Sequence, residues 1–170
     1  MKFHVYIDMD GVLADFDKQI DILSDGNHPG KGSNDVWKYV KPGFFESLPK
    51  MSDADMLWDG LVHFNPTILT ATGYSLKTAG REKTLWGNQR YTQHVITCTK
   101  AVDKYKVIDT PLHQSILIDD RHKAIDPWCA NGGIGILHTS AIESLAQFYK
   151  ILNITRMITK LKEDSDETNN

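Results

Sequence analysis

Apolar and polar positions along the chain follow two alternating periods. The run Phe3-His4-Val5-Tyr6-Ile7 reads as a buried strand and leads straight into Asp8-Met9-Asp10-Gly11. Leu13, Phe16, Ile20 and Leu23 then recur at three- and four-residue steps, with Asp17, Lys18, Asp21 and Ser24 facing outward, which predicts a helix right after the carboxylates. From Asp25 to about Leu48 the pattern breaks: Gly26, Pro29, Gly30 and Gly32 precede Trp37, Tyr39, Phe44 and Phe45. A loop of this length inside a compact domain is usually functional or an inserted element. Ala54, Leu57, Trp58, Leu61 and Val62 predict a helix from Ser52 to about His63, with Ser52 and Asp55 as a weak capping box.

The second half continues the alternation. Strands are predicted at 66–73, 94–97, 115–118 and 134–137, the second of the five ending in Thr70-Ala71-Thr72-Gly73 and the fourth in Asp119-Asp120-Arg121. Helices are predicted at 75–91, 124–130 and 140–152, with a short helix or turn at 102–107 and a C-cap at Asn131-Gly132-Gly133. The polar end, 161–170, reads as a disordered tail. This order predicts an α/β protein: a Rossmann-like parallel sheet with helices on both faces, a single domain over 1–160 and a small cap insertion at about 17–50. Ligands bind such sheets beyond the carboxyl ends of the strands. Those ends carry Asp8, Asp10, Thr70, the region of Lys104, Asp119 and Asp120.

Composition narrows the picture slightly. The 170 residues are 24% charged and 41% hydrophobic, ordinary values for a globular chain, and a net charge of −3 gives no reason to expect a duplex-binding surface. Cys98 and Cys129 lack metal-like spacing, and the seven histidines show no zinc pattern. No apolar run approaches the roughly 20 residues of a membrane span. A cytoplasmic protein with reduced thiols is the expectation.

Several carboxylates in one partly buried pocket require a neutralising cation, and oxygen-only ligands favour a hard ion such as Mg²⁺. A magnesium ion commonly draws phosphate oxygens into its shell. Thr70 could donate to that phosphate, Lys104 could balance its charge, and Gly11 would let backbone N–H groups approach. One aspartate could attack phosphorus while a second moves the proton.

Asp8-Met9-Asp10-Gly11-Val12-Leu13-Ala14-Asp15-Phe16, Ile68-Leu69-Thr70, Lys104 and Ile116-Leu117-Ile118-Asp119-Asp120 together resemble the four ordered motifs of the haloacid-dehalogenase-like (HAD) phosphatases. Ala14-Asp15-Phe16, Pro42-Gly43-Phe44-Phe45-Glu46-Ser47-Leu48-Pro49 and Glu82-Lys83 followed by Trp86 make the chain similar to the 5'(3')-deoxyribonucleotidases within that superfamily. The resemblance implies Asp8 as nucleophile and metal ligand, Asp10 as acid/base and a ligand through its backbone carbonyl, Asp119 as the remaining protein ligand, and Asp120 just outside that shell. Thr70 and Lys104 would hold phosphate. Lys100 competes with Lys104, which is preferred because Asp103 precedes it. Phe16 would face a nucleobase, with Phe44 or Phe45 closing the other side. The implied substrate is a small phosphomonoester, preferentially a deoxynucleoside monophosphate. A polynucleotide-end phosphatase would use the same chemistry, and a receiver-like phosphoacceptor module would use similar residues in a different order.

Overall fold

Residues 3–30, 32–74, 76–92 and 94–167 are described by a computed structural model of the chain. Strands β1 (His4–Ile7), β2 (Thr67–Ala71), β3 (Val95–Cys98), β4 (Ser115–Asp119) and β5 (Ile134–Leu137) form one parallel sheet in the order β3-β2-β1-β4-β5. Ile7 lies in register with Ile68 of β2 and Ile118 of β4, so β1 and β4 end within a residue of each other while β2 runs on to Ala71. The order differs from the 2-1-3-4-5 arrangement of flavodoxin-like receiver modules and sets the first and fourth predicted motifs side by side.

The two-residue period of the strands sends alternate side chains to opposite faces. Val5, Ile7, Ile68, Ile116 and Ile118 pack on one side with residues of α1 (Phe16–Leu23), α2 (Ala54–Leu61), α3 (Ala79–Arg90) and α5 (Ala141–Glu167). Tyr6, Leu69 and Leu117 pack on the other against Ala124, Ile125 and Trp128 of α4 (His122–Ala130). Trp128 meets Tyr6 edge-on at 5.6 Å.

Among the described residues, the insertion's buried apolar side chains join the main core. Val36, Val40, Phe44, Phe45 and Leu48 belong to the same apolar cluster as Ile7 and Ile118. Its two ends are held together at the base, where Asp15 N donates to Pro49 O at 2.8 Å and Met51 N to Leu13 O at 2.9 Å. Trp86 of α3 donates from Nε1 to Leu48 O at 2.8 Å.

Several boundaries move for identifiable reasons. Helix α1 begins at Phe16 because the Asp15 carboxylate caps Lys18 N; Leu13 lies in the preceding turn, Leu23 is exposed and Ser24 is buried. The Ser52–Asp55 capping box does not form: Asp55 binds Lys50 and Tyr91, while Asp53 accepts from Ala141 N and caps α5 instead. Helix α3 starts at Ala79, and Ser75 of the predicted span lies outside the described residues. The disordered tail expected at 161–170 is corrected by α5, which continues to Glu167; residues 168–170 lie outside the described residues. Beyond Leu152 the helix meets no Gly or Pro, so an already nucleated helix propagates residue by residue.

Phe148 anchors α5, fully buried with its ring edge-on to Phe64 at 4.8 Å. Truncation to Ala should cost about 3–5 kcal/mol in urea unfolding; a loss below about 1 kcal/mol would show that α5 is not anchored there.

Candidate active site

At the end of β1 the chain makes a tight turn in which Leu13 N and Ala14 N both donate to Met9 O, at 2.9 and 2.8 Å. Gly11 takes φ +83° within it, and a Cβ at this position would lie 2.4 Å from Asp120 Oδ2. Both the left-handed backbone and the approach of Asp120 therefore require glycine.

Two buried lysines reach into this turn. Lys104, on the 3₁₀ helix Ala101–Lys106 that follows β3, donates from Nζ to Asp8 Oδ1 and Asp119 Oδ2, each at 2.6 Å. Lys83, from α3, pairs with Asp10 Oδ2 and donates to Thr70 Oγ1 at 3.1 Å and Ala71 O at 2.6 Å. Its ammonium also lies 4.6 Å from the Phe45 ring centroid. Asp10 Oδ1 has no hydrogen-bond partner among the described residues. Asp119 Oδ1 accepts from Arg121 N at 3.0 Å.

One carboxylate oxygen each from Asp8, Asp119 and Asp120 lies within 4.8 Å of the others. Two lysines against Asp8, Asp10, Asp119 and Asp120 leave a formal charge of −2 when every group is ionised. A divalent cation balances that charge, and the all-oxygen donor set suits a hard ion.

The protonation equilibria register the same excess of negative charge. Burial, reinforced by Asp8, pushes the Asp119 carboxyl up to about 6 against the pull of Lys104. Burial and the charges of Asp8 and Asp119 push Asp120 up to about 7. Asp120 keeps more solvent contact than Asp119, so water screens more of its shift. Burial holds Asp10 above the ordinary carboxylate value, with Lys83 opposing and Asp8 reinforcing. Burial alone would lower the Lys104 ammonium, but Asp8 and Asp119 outweigh it and the net shift is upward.

The residues expected from sequence separate into two groups. Asp8, Asp10, Thr70, Lys104, Asp119 and Asp120 converge at the strand ends. The Asp120 carboxylate joins the acidic cluster directly, whereas the Asp10 carboxylate turns to Lys83. Lys100 is exposed. Phe44 and Phe45 are buried at 3% and 2% exposure and pack on Phe16, which corrects the expectation that one of them offers a face to substrate. Phe16 is half-buried, and the more accessible ring beside it is Trp37, centroid 6.0 Å away. Lys83 had no assigned role. Its signal was the phase it shares with Ala79 and Trp86, which places a lysine on the buried face of a helix.

Two grooves elsewhere do not touch this cluster. One is lined by strand-start residues including His4, Thr67 and His94, and the other lies between Phe64 and the distal half of α5. Both are away from the carboxyl ends of the strands, where ligands of such sheets bind.

No family profile matches the chain, and no curated protein does. Solved structures do. A haloacid-dehalogenase-like family hydrolase from Xanthomonas campestris superposes with TM-score 0.59 at 9% identity, over 88% of this chain and 91% of that one. The fold is that of the HAD hydrolases. D,D-heptose 1,7-bisphosphate phosphatase from Burkholderia thailandensis gives TM-score 0.54 at 9% identity, over 87% of this chain and 99% of that one. The L-2-haloacid dehalogenase of Xanthobacter autotrophicus, with chloropropionic acid covalently bound, gives 0.55 at 14% identity, over 79% and 76%. The HAD fold thus accommodates both a phosphatase and a dehalogenase.

The raised Asp119 and Asp120 values set a pH signature. Between the ordinary value near 4 and the folded values of about 6 and 7, the native state binds more protons than the unfolded chain, so stability falls as pH rises through that window. Without metal, Tm should drop from about pH 5 to about pH 7.5, Asp120→Asn should flatten the slope, and Mg²⁺ should raise Tm more at the higher pH. An equal Mg²⁺ shift at both pH values would contradict a carboxylate site.

Proposed function

We propose that this chain is a metal-dependent phosphomonoesterase that acts through an aspartyl-phosphate on Asp8. The supporting observation is the placement of Asp8 at the end of the central strand, oriented by Lys104 and flanked by Asp10, whose Oδ1 has no hydrogen-bond partner among the described residues. The dehalogenase shows that fold alone does not select the reaction. Two buried lysines and a threonine hydroxyl facing a carboxylate cluster are what suit a phosphate dianion.

Asp8, Asp119 and Asp120, with the backbone carbonyl of Asp10, would hold the metal, and Mg²⁺ fits their oxygen donors. When bound, the ion supplies positive charge against phosphate oxygens and the Asp8 carboxylate. The residues then divide the work. Asp8 attacks phosphorus and the ester oxygen departs, taking its proton from Asp10, whose raised pKa favours the protonated acid. Asp10, now a carboxylate beside the Lys83 ammonium, takes a proton from water. That water attacks the aspartyl-phosphate, releasing phosphate and restoring both aspartates. Lys83 and Thr70 bind phosphate oxygens from one side and Lys104 from the other.

The proposed substrate is a small phosphorylated metabolite, with deoxynucleoside monophosphates preferred. Phe16 and Trp37 supply the accessible aromatic surface for a base.

A phosphate-release screen over nucleoside monophosphates, sugar phosphates and an end-phosphorylated oligonucleotide, with and without Mg²⁺, tests the reading. Turnover should require the metal and favour a mononucleotide. Asp8→Asn should abolish turnover with an unchanged circular dichroism spectrum, and activity equal to the parent chain would eliminate Asp8 as nucleophile. Lys83→Gln should lower kcat/KM by roughly 10²-fold, on the scale of removing one preorganised donor; an unaltered value would remove Lys83 from the site.

A further inference from the structure

Glu82 and Lys83, consecutive on α3, are 5% and 0% exposed. Buried carboxylates and ammoniums ordinarily find an opposite charge. Successive helix positions lie about 100° apart, and these two side chains part accordingly. Lys83 pairs with Asp10. The Glu82 carboxylate is met by neutral donors: Gly43 N at 2.8 Å and Thr78 Oγ1 at 2.6 Å on Oε1, and Phe45 N at 3.1 Å on Oε2. Both side chains thereby lead to one residue of the insertion. Glu82 holds the Phe45 backbone, and the Phe45 ring lies 4.6 Å from the Lys83 ammonium, which an aromatic face attracts. Asp10, Thr70 and Ala71 supply the polar contacts of the same ammonium. An amide at position 82 cannot reproduce this grip. With its oxygen toward Gly43 and Thr78, its NH₂ meets the Phe45 N–H donor against donor, and turned round it opposes the Gly43 N–H.

We infer that Glu82 is a positioning residue for Lys83. It clamps the Gly43–Phe45 backbone so that the Phe45 ring keeps the Lys83 ammonium against Asp10 and Thr70, and it does so from outside the aspartate cluster. The consequence for turnover rests on the phosphoryl-transfer reading above; the placement of Lys83 does not.

Lysine labelling by reductive methylation, read residue by residue in a mass spectrometer, tests the placement without any activity. Lys83 and Lys104 are both closed to solvent in the parent, at 0% and 1% exposure. Glu82→Gln should raise labelling of Lys83 at least about fivefold by local opening, while Lys104, held by Asp8 and Asp119, stays protected. A Lys83 as protected as in the parent overturns the proposal, and so does an equal rise at both lysines in a variant with the parent's circular dichroism. Should Glu82→Gln not fold, Thr78→Ala, which removes one donor from the same carboxylate, carries the same test, and Thr78→Ser, which keeps the hydroxyl, should restore protection. Turnover gives the second readout. Acting through Lys83, Glu82→Gln should lower kcat/KM roughly tenfold in the parent and by less than about twofold in a Lys83→Gln background. Losses that multiply overturn the proposal. A parent chain that releases phosphate from no substrate would remove the phosphomonoesterase reading, and the labelling would still decide what Glu82 does for Lys83.

Discussion

Four aspartates crowded at the ends of two adjacent parallel strands constitute the constraint on which the rest of this structure depends. Asp8 and Asp119 leave β1 and β4 side by side because those strands are paired, and Asp10 and Asp120 follow within two residues. Like charges this close in a partly buried site cannot all remain ionised without compensation. The fold brings compensation from two other places, Lys104 after β3 and Lys83 on α3. Each lysine is itself buried, so each depends on its carboxylates as much as they depend on it; deleting one partner leaves an uncompensated buried charge worth about 3–5 kcal/mol. The site is therefore a structural commitment of β1, β4, α3 and the segment following β3.

Helix α3 links that commitment to the insertion. Glu82 and Lys83 are adjacent and both buried, yet they serve different partners. The Glu82 carboxylate accepts from Gly43 N at 2.8 Å, Phe45 N at 3.1 Å and Thr78 Oγ1 at 2.6 Å, which fixes the backbone of the insertion on the helix. Lys83 takes the next step round the helix and enters the aspartate cluster, with the Phe45 ring against its ammonium. A displacement of the insertion therefore reaches Asp10 through a single helical turn.

The sheet and the strand-end residues were legible because they depend on local signals. β-branched runs mark β1, β2, β4 and β5, and polar residues directly after such runs mark Asp8, Thr70 and Asp119. Lys83 was not legible as a site residue because burying charge on α3 erases the amphipathic stripe by which an inward face is recognised. Asp53 and Asp55 show a second limit. Asp53 precedes helix α2 and Asp55 lies in its first turn, but the Asp53 carboxylate caps α5, 88 positions away, and only the tertiary arrangement decides which aspartate supplies that cap.

Taken as a phosphoryl site, the strand-end cluster would carry little information about what that group is attached to. In the proposed reading, discrimination falls to the insertion, and its packing limits the means. Phe44 and Phe45 are committed to the core, and the Phe45 face is further occupied by Lys83. Phe16 and Trp37 keep exposed ring surface, as Tyr39 does, and both stand on segments held by that core, one at the start of α1 and one on the 3₁₀ turn Asn34–Lys38. Phe44 touches Phe16 at 5.1 Å, so its role is to set the angle of a ring that can meet a substrate. Selectivity for the leaving group thus depends on how firmly Glu82 holds the Gly43–Phe45 backbone, since that backbone carries the rings on which Phe16 rests.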